Sequence, residues 1–337
     1  MKLERLQKLV LPVFVMLFVY YAHNPDSLGQ KDINTVNSIN ESLPISNLQI
    51  TDETHHVVYG VHEWGYVVRS YAPKDLSLGA VESIFMGLTE NFSHNLQEIT
   101  SLVPADAKLL DYELKDGHLT LNLSNEFLEY SPEQEQNLVS ALVWTYTELD
   151  EVERVGFKIE GNPIANLSGT LPVGRGFTRS MGVNLEIDMN LSHLNDAKPV
   201  TLYFLTDDQT DASLIPVTRL IPAEENNITY VVESLIAGPV DQEYITVFNN
   251  QTTLIDEPIL ENGLLTLNFS SDLYYNQAQT KVSSAMLKQL VMSLMDLEEV
   301  EQVSVIIEGN VKVFDETLNL NTIPTSHFAV DSFIEAQ

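Results

Sequence analysis

Asp116-Gly117-His118-Leu119-Thr120-Leu121-Asn122-Leu123-Ser124 returns later in the chain as Asn262-Gly263-Leu264-Leu265-Thr266-Leu267-Asn268-Phe269-Ser270, and this echo decides how the rest is read. Two further pairs keep the same order. Val81-Glu82-Ser83-Ile84 matches Val232-Glu233-Ser234-Leu235, and Ile159-Glu160-Gly161-Asn162 matches Ile307-Glu308-Gly309-Asn310. The displacements are 146 positions from Gly117 to Gly263, 151 from Val81 to Val232 and 148 from Ile159 to Ile307. Ordered matches at a nearly constant displacement mean a duplicated module with small changes in its loops. Residues 53–162 form the first copy, 163–197 a connecting segment, 198–315 the second copy and 316–337 a C-terminal tail.

Within the quoted stretch, Asn262-Gly263 accepts the positive φ angles of a two-residue hairpin turn. Leu265, Leu267 and Phe269 then alternate with Thr266 and Asn268, the period of a half-buried strand. Residues 201–205 and 216–221 also read as strands, rich in β-branched and aromatic side chains. Residues 228–237 read as a short helix stopped by Gly238 and Pro239. A longer helix is expected over 279–296, with Val282, Met286, Leu290, Leu294 and Leu297 as its apolar stripe. Its first-copy equivalent opens with Ser131, Pro132 and Gln134, a capping-box start, and turns Leu138, Leu142, Thr145 and Leu149 to the core. Final strands are expected over 152–159 and 300–307. Residues 163–183, with Pro172, Gly174, Gly176 and Gly182, connect the copies with some strand content. The fold class is therefore α+β: two tandem copies of a small module, each with helices packed on one face of a mixed sheet.

At 337 residues and 44% hydrophobic composition the chain has length for about two domains and enough apolar surface for real cores. Seventeen Lys+Arg against 48 Asp+Glu give a formal net charge of −31. Such a surface repels nucleic acid and anionic headgroups, so no nucleic-acid partner is expected. There is no cysteine, which excludes disulfides, thiolate zinc sites, thiol nucleophiles and a lipid-modified N-terminal cysteine. At the N-terminus Lys2, Arg5 and Lys8 precede an apolar run from Leu9 to Ala22, the charge order of an export signal. The run is shorter than the roughly 20 residues of a spanning helix. A cleaved signal peptide and a short uncleaved anchor both fit, and the lack of an A-x-A site favours the anchor. Residues 1–22 are thus expected to attach the chain to the membrane. Residues 23–52, polar and without apolar periodicity, read as a flexible tether to an extracytoplasmic body.

The motifs of hydrolases and nucleotide-binding enzymes are not found: no G-x-S-x-G, no H-E-x-x-H and no G-x-x-x-x-G-K. Gly174-Arg175-Gly176 lacks a third glycine at the needed spacing. His55, His56, His62 and Glu63 are the best metal candidates, but neighbours on a strand point to opposite faces and cannot easily share an ion. Asp207-Asp208 and Glu224-Glu225 are pairs that 48 acids produce by composition alone. No catalytic, metal or cofactor-binding residue is assigned, and no cofactor is expected. The sequons at Asn122 and Asn268 occupy repeat-equivalent strand positions, which favours a structural role for both. Tyr274 and Tyr275 are the candidate contact surface, with core packing of one of them as the competing reading.

The segments Val232-Glu233-Ser234-Leu235-Ile236-Ala237-Gly238-Pro239, Asn249 to Leu254, Gly263 to Ser270, Gln289 to Leu294 and Val300 to Gly309 stand in the order of a known module. The ordered set resembles the GerM domain family, twice over. The first copy departs from the pattern, with Met86-Gly87-Leu88 where Ala-Gly-Pro is expected. The family positions are Gly87, Gly117, Gly161, Gly238, Pro239, Gly263 and Gly309, all structural. The resemblance implies a non-enzymatic protein of sporulation and germination, facing the space between mother cell and forespore and helping to build or localise an envelope complex there. It also implies likeness to ring-building motifs, and partners among other envelope or sporulation membrane proteins. Peptidoglycan is the alternative ligand. Members of the family are typically lipoproteins; without a cysteine, this chain needs a protein anchor instead.

Overall fold

The computed structural model describes residues 54–89, 99–169, 171–206, 213–240, 243–274, 281–309, 311–314 and 334–335. The expected anchor (1–22) and tether (23–52), the pair Asp207-Asp208 and Tyr275 lie outside the described residues. In the first copy β1 (His55–His62) and β2 (Val67–Pro73) form an antiparallel hairpin. Helix α1 (Ala80–Thr89) follows, and β3 (Ile99–Thr100) pairs with β1. Strands β4 (Leu109–Lys115) and β5 (His118–Leu123) make the hairpin of the repeated stretch. The chain crosses through α2 (Glu135–Tyr146) to β6 (Arg154–Ile159), which lies parallel to β5 and is flanked by β7 (Asn162–Pro163). A parallel pair needs such a crossover, because no tight turn can join two strands running the same way.

After the connecting strand β8 (Glu186–Ile187) the plan repeats. The hairpin β9 (Ala197–Thr206) and β10 (Leu214–Pro222) is followed by α3 (Asn227–Ala237) and β11 (Tyr244–Ile245). Then come β12 (Ile259–Glu261), β13 (Leu264–Phe269), a short β14 (Lys281–Val282), α4 (Ser284–Met295), β15 (Gln302–Ile307) and β16 (Val311–Phe314). Near the end β17 (Ile334–Glu335) pairs with β14. Apart from the two-stranded β14–β17 pair, each copy distributes its strands over two sheets, where the sequence reading had one. The orders are β2-β1-β3 and β4-β5-β6-β7 in the first copy, β11-β9-β10-β8 and β12-β13-β15-β16 in the second.

This second sheet explains the helices. α2 packs against both β1 and β6, and α4 against both β9 and β15. Every residue from Leu138 to Tyr146 is buried, so the expected four-residue stripe is one side of a helix covered all round. Leu119, Leu121 and Leu123 of β5, like Leu265, Leu267 and Phe269 of β13, are fully buried on the alternate positions the pattern demands. At about 1.5–3 kcal/mol for each fully buried side chain, these two rows anchor their sheets. One continuous cluster of buried apolar side chains runs through both copies.

Two helix starts differ from expectation. α4 begins at Ser284, because the Ser283 side chain caps it by accepting from the Met286 N–H at 3.4 Å, and Val282 belongs to β14. In the first copy Ser131 makes no cap bond. Its hydroxyl bonds the Glu133 carboxylate instead, Pro132–Gln134 form a 3-10 turn, and α2 starts at Glu135.

Candidate functional site

The family glycines sit where only glycine is at ease. Asp116-Gly117 and Asn262-Gly263 have φ of 49° and 74°, and 52° and 79°, the left-handed pair of a type I′ hairpin. Glu160-Gly161 and Glu308-Gly309 repeat the geometry at 49° and 76°, and 52° and 70°. Gly238 (φ 89°) ends α3, and Pro239 follows it. Gly87 answers a different need: a Cβ there would lie 2.7 Å from the Ala72 Cβ, so its absence lets α1 approach β2.

A repeated polar clasp surrounds these turns. The buried Asn122 accepts from the Gly161 N–H at 2.7 Å, and Asn268 accepts from the Gly309 N–H at 3.0 Å. Glu160 accepts from the Asn125 N–H and Glu308 from the Ser271 N–H. Both sequon asparagines thus have a structural task. The helices are pinned in the same duplicated way: the Tyr59 N–H donates to the Thr145 hydroxyl, and the Tyr203 N–H to the Ser293 hydroxyl, each at 2.8 Å.

The most concentrated polar chemistry lies between the copies. Glu148, just beyond α2, accepts from the Tyr59 hydroxyl at 3.0 Å and from Arg179 Nη2 at 2.7 Å, with Arg69 Nη2 at 3.9 Å. Arg179 also donates to the Thr147 hydroxyl, stacks over the Trp144 ring at 4.6 Å and reaches Asp296 of the second copy at 4.0 Å. Trp144 meets Tyr203 of the second copy edge-on. Burial, reinforced by Glu148, pushes the Tyr59 hydroxyl well above its ordinary value. Burial likewise raises the Asp296 carboxyl and, with Arg69 nearby, lowers the Lys288 ammonium to about 8.

A second tie uses Asn184 (φ 44°). Its amide group donates to the carbonyls of Val67 at 2.6 Å and Pro216 at 2.8 Å, and accepts from the Val67 N–H at 2.8 Å. One side chain thereby joins β2 of the first copy to β10 of the second. Next to it the buried Glu186 grips Arg219 at 2.6 Å and accepts from the Tyr244 hydroxyl and the Val240 N–H. Arg219 also donates to the Gly238 carbonyl at 3.3 Å, which braces the family Gly-Pro turn.

The surface carries three features. Around β8 the inward Glu186 alternates with outward Leu185, just before the strand, and Ile187, and Met189 beyond them is 95% exposed. On β4 every residue from Leu110 to Lys115 is exposed, including Leu110, Tyr112 and Leu114 at 37–46%. Behind β4 a groove of about 570 Å³ mixes Lys115, Arg154, Arg175 and His118 with Glu113, Asp116 and Glu153. No Trp, Tyr or Phe lines that groove. Tyr274 is packed partly against the core, and burial raises its hydroxyl. The exposed rows on β4 and β8 were missed in the sequence, although alternation of Leu110, Tyr112 and Leu114 was there to be read.

The histidines are not brought together. His56 bonds the Ser83 hydroxyl at 3.0 Å and is lowered to about 4 by burial, Lys74 and His55, whereas His62 stacks on Tyr66. Among the described residues no group of three His, Cys, Asp or Glu could hold a metal ion, and no helix is long and apolar enough to cross a membrane.

Fold and surface together define a tandem-repeat protein of mixed α/β modules joined by a part-buried polar seam. A family model described as Germane, sporulation and spore germination, matches residues 50–165 and 201–313, and the chain belongs to that family. It is 28% identical over 280 residues to the spore germination protein GerM of Bacillus subtilis, covering 80% of this chain and 75% of that one. The solved tandem GerMN domains of the sporulation protein GerM from Bacillus subtilis superpose with a TM-score of 0.68 at 26% identity, over 77% of this chain and 92% of that structure.

Proposed function

We propose that this chain is a non-enzymatic, membrane-tethered assembly component of sporulation, holding other envelope proteins in place on the extracytoplasmic face between mother cell and forespore. The observation that carries the reading is the seam. Asn184 bonds to both copies, and Arg179, held by Glu148, reaches Asp296 of the second copy at 4.0 Å, so these polar groups serve to hold one copy against the other. A body held this way presents its outward surfaces at a set separation, which is what an assembly part has to do. The open apolar row Leu185, Ile187 and Met189 supplies one such surface. The likeness to ring-building motifs belongs to the same proposal, since stacked α+β modules associate through such faces.

The test is genetic and structural together. In the chain's own host, Leu185→Asp with Ile187→Asp is introduced alongside a full deletion, and heat-resistant spores are counted. The expected outcome is a spore defect close to that of the deletion, with the variant protein folded and present at normal level. Full sporulation by the deletion strain would overturn the role. Full sporulation by the double variant alone would move the docking surface elsewhere.

A further inference from the structure

The edge strand of the first copy is self-complementary, and the geometry points to pairing of β4 with β4 of a second copy of this chain. Strand β4 ends its sheet, and among the described residues nothing pairs with its outer side. Lys115 and His118 close the two-residue turn, so Lys115, Glu113 and Asp111 direct their backbone groups at β5. Tyr112 and Leu114 therefore hold their N–H and C=O groups outward along the open edge. Six exposed residues with two such positions form an unprotected template for another strand.

The second copy shows what protection looks like at the same place. By the 146-position displacement, Tyr112 corresponds to Pro258, which has no N–H to offer. Strand β12 has three residues against the seven of β4, and Asp256, Glu257 and Glu261 lie in or beside it. The duplicated module thus closes this edge in one copy and leaves it open in the other.

The occupant follows from the side chains. An antiparallel β4–β4 pair related by a two-fold axis through Glu113 sets Tyr112 opposite the partner's Leu114, and Leu114 opposite the partner's Tyr112. Both apolar pairs fall on the face that carries the buried Leu119 and Leu121. On the other face Asp111 meets the partner's Lys115, twice. Glu113 meets its own copy at the axis, and each of these carboxylates has Lys158 at 3.9 Å to offset it. Moving the axis to Tyr112 would oppose Asp111 with Glu113, and moving it to Leu114 would set Tyr112 against Asp116 of the turn, so the Glu113 register is the one that pairs residues 111–115 with each other free of both faults. The result is one sheet continuous across two molecules. Two chains of −31 repel at long range, so the pairing is weak and gains from salt that screens the net charge.

Because the chain has no cysteine, a single introduced thiol reports the register. In detergent-solubilised full-length protein under mild oxidation, Glu113→Cys places two thiols across the axis within disulfide reach. The expected result is a disulfide-linked dimer forming about tenfold or more faster than for Asp111→Cys, or for Ile259→Cys at the equivalent point of the second copy. A mixture of Asp111→Cys with Lys115→Cys should cross-link as a heterodimer. In Glu113→Cys protein, adding Asp111→Lys should slow linkage, and further adding Lys115→Asp should restore it. Equal rates at positions 113, 111 and 259, or no restoration by the swapped pair, would overturn the proposal. It would leave the edge to a different partner or to the chain's own tail.

Discussion

Gly263 and Gly161 share a positive φ but differ in what surrounds them, and the difference is measurable. A Cβ on Gly263 would come within 2.8 Å of the Glu301 side chain, whereas nothing lies within 4 Å of one on Gly161. Gly161→Ala should cost only the left-handed strain, about 1–2 kcal/mol, and Gly263→Ala somewhat more as Glu301 is displaced. Urea titration of both variants checks the order. Lys288 gives a pH test. Its folded value of about 8 lies below the ordinary lysine value near 10.4, so the folded state sheds this proton first. Stability from this group therefore rises as pH climbs from about 8 towards 10, and the penalty is fully present below 8. The urea midpoint should rise between pH 7.5 and 9.5, and Lys288→Met should flatten the rise. Above about 10 the raised Tyr59 and Tyr203 hydroxyls act in the opposite direction. The glycines were legible in the sequence because a turn is a local demand. Lys288 was not, because Arg69 and the burial around it come from distant parts of the chain.

At the scale of elements, the repeated clasp makes the two hairpin turns depend on one asparagine each. Asn122→Ala and Asn268→Ala leave the Gly161 or Gly309 N–H without its partner, and each should destabilise by about 1–3 kcal/mol. Asn268→Ala should be the worse of the two, since it also removes the 2.6 Å bond from Asn268 to Asp256. Thermal melts of the single variants test the ranking. Strand alternation in β5 and β13 and the stop of α3 at Gly238 were readable from spacing alone. The starts of α2 and α4 were not. Ser131 is drawn off by Glu133, and Ser283 caps a helix that periodicity would have begun at residue 279. The division of each copy into two sheets was equally hidden, because strand pairing depends on partners that spacing does not name.

The whole molecule is predicted to unfold as one body. Arg179→Ala removes the bonds to Glu148 and Thr147, the stacking on Trp144 and the reach to Asp296, leaving a part-buried carboxylate without its closest cation. The expected loss is about 1.5–3 kcal/mol. Calorimetry should then resolve two transitions where one is expected for the unaltered protein; a single transition in the variant would mean that apolar packing and the Asn184 bonds couple the copies without Arg179. The duplication itself was plain in the sequence, whereas the seam was not, since its residues come from α2, the connecting segment and the end of α4. Asn184 carries a consequence of another kind. Its amide stands in for a stretch of backbone, tying β2 to β10 with a residue from the connecting segment. A gene encoding either copy alone would leave that copy's strand without this tie, so the ancestral fusion is hard to undo. Descendants of this chain are expected to lose or gain whole tandems, seldom halves, with the connecting segment changing no faster than the modules it joins.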